Sequence, residues 1–74
     1  MKSKTTPQFS QHYALLPEQA QRLADKCYRL WLSNPTHRSL HFKPLKGHPS
    51  LYSARVGIHY RAVAHREGDL IIWV

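Results

Sequence analysis

From Leu51 to Ala64 the chain reads LYSARVGIHYRAVA, in which Tyr52, Ala54, Val56, Ile58, Tyr60, Ala62 and Ala64 share one parity and Ser53, Arg55, His59 and Arg61 the other. Side chains alternate across a strand, so this period of two predicts a β-hairpin, with strands over 51–56 and 59–66 and Gly57 near the bend. One face is built for a core and the other carries cations. A bend with an odd number of residues makes Arg55 a cross-strand neighbour of His59 or of Arg61, about 5 Å away. Like charges held that close repel, which makes a polyanion the natural third party. After a turn at Glu67-Gly68-Asp69, the mostly apolar residues 70–74 predict a last strand. It stops at Trp73-Val74 without a polar tail. An apolar edge of that kind invites a partner strand, a second copy or a further C-terminal piece.

Upstream the period changes. Phe9, Tyr13 and Leu16 recur at helical spacing behind Thr6, a good N-cap, and Pro7, which suits the first helical position. A second pattern begins at Pro17: Ala20, Leu23, Ala24, Cys27, Leu30 and Trp31 form an apolar stripe, and Glu18, Arg22, Asp25, Lys26 and Arg29 mark the wet side. Glu18 with Arg22 and Asp25 with Arg29 are i,i+4 pairs of favourable order. The pattern predicts a helix over 17–32, stopped at Ser33-Asn34-Pro35 because proline lacks an amide hydrogen and restricts its predecessor. Residues 1–6 are polar and basic, hence flexible unless a short strand ties them down. Residues 36–50 are basic and irregular, interrupted by Pro44, Gly47 and Pro49, with Leu40, Phe42 and Leu45 as apolar pegs. Helices first and a meander after them predict a single α+β domain, two N-terminal helices packed on one face of a small twisted antiparallel sheet.

Charge sharpens this picture. Eleven Lys and Arg against four Asp and Glu give a net charge of +7 over 74 residues. A field of that density attracts nucleic acid, a ribosome or an acidic protein segment, although it also serves solubility alone. The single cysteine, Cys27, excludes an internal disulfide and fits a reducing cytoplasm. Its place in the helical stripe marks a buried, inert thiol. No apolar run reaches the roughly 18 residues of a membrane span. Six histidines raise the question of a metal, but His37 and His41 lie beyond the helix stop, and no cysteine pair or His-Glu-x-x-His helix completes a site. Neither metal nor cofactor is expected. Tyr52, Tyr60, Trp31 and Trp73 are able to stack bases, yet the parity of the two tyrosines points inward to a core.

Taken in order, Phe9 and Tyr13, Leu16-Pro17, the helix, Asn34-Pro35, Ser39-Leu40-His41-Phe42-Lys43, Leu51-Tyr52-Ser53-Ala54-Arg55-Val56-Gly57, Tyr60-Arg61-Ala62 and Glu67-Gly68-Asp69 before Trp73 resemble the RelE/ParE superfamily of bacterial toxins. The resemblance covers nearly all of residues 5–74. It implies the toxin of a type II toxin-antitoxin system, held by a cognate antitoxin, with two N-terminal helices on a twisted antiparallel sheet. Members similar to RelE cut messenger RNA in the ribosomal A site without a metal, and those similar to ParE poison DNA gyrase. In the RNA-cutting members, basic side chains on the sheet activate the ribose 2′-hydroxyl, neutralise the phosphate and protonate the departing 5′-oxygen. The arginine of their Tyr-Arg pair matches Arg61, and one before the bend matches Arg55. This chain departs from them at Tyr52, Ser53 and Ala54, where the RNA-cutting type carries lysines. Relatives also continue past the Trp73 position into a segment with further basic and tyrosine groups.

Arginine suits phosphate because its planar fork donates two hydrogen bonds and keeps its charge, and for the same reason it shuttles protons poorly. Histidine is the residue type that exchanges protons near neutral pH. His59 lies on the arginine face by parity. Arg55, Arg61 and His59 are therefore the candidate catalytic residues, and Lys43, Lys46 and His48, entering from the preceding loop, the candidate RNA and phosphate contacts. The expected activity is that of a ribosome-dependent, metal-independent mRNA endoribonuclease. The alternatives are a non-catalytic or truncated module that binds antitoxin or RNA, and a gyrase inhibitor. For the two arginines, the competing structural role is an ion pair with Glu67 or Asp69. Strand-edge pairing leaves the oligomeric state open.

Overall fold

A computed structural model describes all 74 residues as two helices beside one five-stranded mixed sheet. The order is β1 (Lys2–Thr5), α1 (Pro7–Ala14), α2 (Glu18–Ser33), a single 3-10 turn (Arg38–Leu40), β2 (Lys43–Leu45), β3 (His48–Val56), β4 (Tyr60–Glu67) and β5 (Leu70–Trp73). Across the sheet the strands run β1-β5-β4-β3-β2. The α+β reading of the sequence holds. One pairing departs from an all-antiparallel sheet: β1 lies parallel to β5, with Lys2 opposite Leu70 and Thr5 opposite Trp73.

The helices start and stop where local chemistry directs them. Thr6 accepts the Phe9 amide at 3.1 Å, and Pro7 follows it at the first helical position. The same hydroxyl donates to the Trp73 carbonyl at 3.1 Å, which ties the head of α1 to the end of β5. The α2 stripe turns Trp31 and Ala20 inward, and Asn34 closes the helix by donating to the Leu30 carbonyl. Tyr13 Oη donates to Asp25 Oδ1 at 2.8 Å, bridging α1 to α2. That bond, with partial desolvation and the nearby carboxylate charge behind it, raises the Tyr13 phenol above its ordinary 10.0.

The core lies between α2 and the sheet. Trp31, Leu40, Ala54, Ala64, Ile71 and Trp73 are buried together, and Trp31 meets Trp73 edge-on at 5.3 Å and Phe42 at 5.6 Å. Leu40 and Phe42 are thus pegs, as the sequence indicates. Residues 36–50 are more regular than expected, because β2 forms and adds an edge to β3. Pro44 is tolerated there since an edge strand leaves one side of its backbone free of ladder bonds.

Two features of the ends differ from the simplest reading. Residues 2–5 form the short strand that ties the N-terminal segment down. The apolar β5 is an inner strand, bonded to β4 on one side and β1 on the other, so its backbone offers no open edge. The free edges belong to β1 and β2, which carry Lys2, Lys4, Lys43 and Pro44, and charge and proline both discourage edge-to-edge pairing.

Candidate nucleic-acid interface

The β3–β4 hairpin closes through three residues, Gly57, Ile58 and His59, with Val56 paired to Tyr60. Gly57 has φ +67, and a Cβ there would sit 2.5 Å from Leu23 Cδ2, so the bend is pressed against α2 and suits glycine. An odd bend keeps parity across the hairpin. Arg55 therefore stands directly opposite Arg61, as one of the two alternatives in the sequence requires. Ala54, Val56 and Ala64 on the other parity are buried towards the helices, which puts both arginines on the helix-free face.

Neither arginine is consumed by an acid. The ion pairs of the molecule are Arg22–Glu18 at 2.6 Å and the N-terminal ammonium with Asp69 at 3.8 Å. Half-buried Arg55 uses Nε to donate to the Gly57 carbonyl at 3.0 Å and leaves its terminal nitrogens unengaged. The Arg61 side chain is exposed and makes no hydrogen bond within the chain. Glu67 shares this face but lies six residues along β4 from Arg61, roughly 20 Å away. One guanidinium is held and its neighbour is free to move.

The register brings a third cation to the pair. Lys43 stands opposite Ser53, one step diagonal from Arg55 on the same face. Lys46 and His48 do not join them. Lys46 is in the β2–β3 turn and His48 opens β3, seven residues from Arg55, which in an extended strand is more than 20 Å. His59 sits in the bend, exposed and two residues from Arg61, at the arginine end of the hairpin but outside the paired ladder.

Three further groups share the face. His65 follows Arg61 in parity and pairs with Leu51 and Ile72, while Lys2 and Lys4 align with Leu70 and Ile72. Lys2, Lys4, Lys43, Arg55, Arg61 and His65 thus frame a half-buried strip of Leu51, Val63 and Ile72, with Glu67 as the acid on that side. His65 was legible from parity alone. The lysines were not, because nothing in KSKT alternates between apolar and polar until β5 supplies a partner. Five of the eleven Lys and Arg, Lys2, Lys4, Lys43, Arg55 and Arg61, therefore lie on this side and make it an anion-attracting surface.

On the opposite face the remaining candidates have structural roles. Tyr52 packs inward on Phe42 at 5.1 Å, with Arg66 over its ring at 5.3 Å and an Arg66 Nη1 bond to its hydroxyl at 3.1 Å. Tyr60 has the inward parity but lies at the hairpin end, where 37% of it stays exposed. His37 Nδ1 accepts the Ser39 amide at 3.2 Å and caps the 3-10 turn, and His41 ends that turn with φ +46. No group of three or more His, Cys, Asp or Glu side chains is assembled to hold a metal ion. No helix is long and apolar enough to cross a membrane.

No protein-family model matches the chain, and neither the curated proteins nor the solved structures give a significant match.

Proposed function

We propose that this chain is a cytoplasmic toxin of the RelE/ParE type, controlled by a cognate antitoxin and acting on ribosome-bound mRNA as a metal-independent endoribonuclease. The observation that carries the reading is the opposed pair Arg55 and Arg61, with Lys43 beside them and no acidic partner for either guanidinium. Two adjacent forks of this kind suit a phosphate diester because each donates two charge-assisted hydrogen bonds to non-bridging oxygens. When the ribose 2′-oxygen attacks phosphorus, negative charge builds on those oxygens and the arginines stabilise it. The 2′-O–P bond forms as the P–5′-O bond breaks, leaving a 2′,3′-cyclic phosphate, and the proton given up by the 2′-hydroxyl is balanced by one delivered to the departing 5′-oxygen. His59, exposed in the adjoining bend, is our candidate for carrying that proton from the 2′-hydroxyl to the 5′-oxygen.

A second reading is favoured by the residues of β3 itself. Tyr52, Ser53 and Ala54 occupy positions where lysines would assist the chemistry, and both Ser53 and Ala54 are buried. A face that grips phosphate without cutting would make the chain a binding module for RNA or antitoxin.

Induced expression with and without a candidate antitoxin, with ribosome-bound mRNA mapped for cuts, separates these readings. The endoribonuclease requires growth arrest, A-site cleavage and loss of both in Arg61→Ala. Absence of arrest points to the binding module, and arrest with DNA damage and intact mRNA points to gyrase.

A further inference from the structure

A sheet with one free face ordinarily turns polar side chains towards water on that side. Here the helix-free side of the three middle strands carries Leu51 on β3, Val63 on β4, and Leu70 and Ile72 on β5, all half-buried. Val63 lies one step diagonal from both Leu51 and Ile72, so the aliphatic patch is continuous. Cations border it on three sides: Lys2 and Lys4 on β1, Lys43 on β2, and Arg55 with Arg61 at the hairpin end. Glu67 lies at the far end, roughly 20 Å from Arg61.

We infer that this face takes an acidic amphipathic helix of a partner protein, its apolar stripe on Leu51, Val63 and Ile72 and its carboxylates against the surrounding cations. A strand would have to enter at an edge, and both edges are guarded by lysine, with Pro44 on β2 as well. A helix laid on top closes an apolar sheet face without using its edges. Its length follows from the face, since roughly 20 Å at about 1.5 Å per residue is about 13 residues. Its direction follows from charge: the negative C-terminal end lies over the arginines and the positive N-terminal end near Glu67. RNA reaches the arginines but leaves this strip bare, because Tyr52, Tyr60 and Trp73 have the other parity and no ring is left to stack a base. A second copy would set the same cations against one another. Half-buried side chains in mid-sheet do not reach into acyl chains as an amphipathic helix does, which disfavours a bilayer. A helix seated here also shields Arg55 and Arg61, and its binding does not depend on the chain cutting RNA.

The probes are a peptide of about 14 residues with leucines at i, i+3, i+4 and i+7 spacing and glutamates elsewhere, and a scrambled peptide of the same composition. Titrated into the ¹⁵N-labelled protein, the striped peptide should bind about tenfold tighter than the scrambled one and shift the amides of Leu51, Val63 and Ile72. It should also gain helicity, because a free helix of this length is marginal in water. Val63→Thr with Ile72→Thr keeps the charge and the strand preference but removes apolar surface, and should weaken the striped peptide about tenfold while single-stranded RNA affinity is unchanged. If the double variant does not fold by circular dichroism, the peptide pair and the shift map decide. Peptide binding in a protein that binds no RNA would support the helix site and sink the ribonuclease reading alone. Equal binding of the two peptides, shifts confined to the helices, unchanged peptide affinity in the folded double variant, or binding to phosphatidylserine vesicles that the striped peptide does not displace would overturn the inference.

Discussion

Arg61→Gln should make the protein more stable and its hold on RNA weaker, in a ratio that salt controls. Arg55 and Arg61 are a directly opposed pair with no anion between them. Two unit charges about 6 Å apart repel by about 0.7 kcal/mol in water-like surroundings, the appropriate limit because Arg61 is exposed. Removing one charge and keeping a long polar side chain should recover about 0.5 kcal/mol, a rise in Tm of about 2–4 °C for a domain of this size. In 1 M salt the screening length falls to about 3 Å and the gain should vanish. Thermal melts followed by circular dichroism at 20 mM and 1 M NaCl measure it. The same substitution deletes one phosphate contact, so the slope of log K against log salt for single-stranded RNA should shrink by about 0.7. A stability gain that is equal at both salts, or an unchanged slope, would refute a repulsive pair waiting for phosphate.

Three other outcomes rest on local geometry. Thr6→Ala removes both the α1 cap and the tie to the Trp73 carbonyl, and should cost about 1 kcal/mol or more in urea unfolding. Gly57→Ala forces a side chain into φ +67 and against Leu23; the backbone term alone is about 1–2 kcal/mol, and Leu23→Ala in the same chain should recover only the part due to the clash. The Tyr13 phenol lies above its ordinary 10.0 because it donates to Asp25, so its stabilising share is complete below pH 10 and is lost as pH rises through the higher folded value. Ultraviolet titration of tyrosinate should show a transition above pH 10 that disappears in Tyr13→Phe, and alkaline melts of that variant should lose less than those of the parent.

Much of this arrangement is written in period and parity. The stripe from Ala20 to Trp31 could be satisfied only as a helix, and α2 runs within one residue of its expected bounds. The alternation around Gly57, with an odd bend, dictates that Arg55 and Arg61 share a face. What escaped was set by partners far away in the chain. KSKT becomes a strand because β5 needs a second neighbour, and that pairing turns an apparent apolar edge into an inner strand. Lys46 and His48 fall away from the arginines because β3 extends back to residue 48, a length decided by β2 pairing with it rather than by any apolar alternation in Gly47-His48-Pro49.

The parallel union of β1 with β5 also governs when the sheet is finished. Strand β1 meets its sole strand partner only after synthesis has reached residues 70–73, a separation of 68 positions from Lys2 to Leu70. Until then the helices, β3 and β4 can assemble, but Thr6 has no Trp73 carbonyl to hold. Completion of this sheet therefore waits for β5, and a chain lacking residues 70–73 would present the cationic hairpin on an unsealed scaffold.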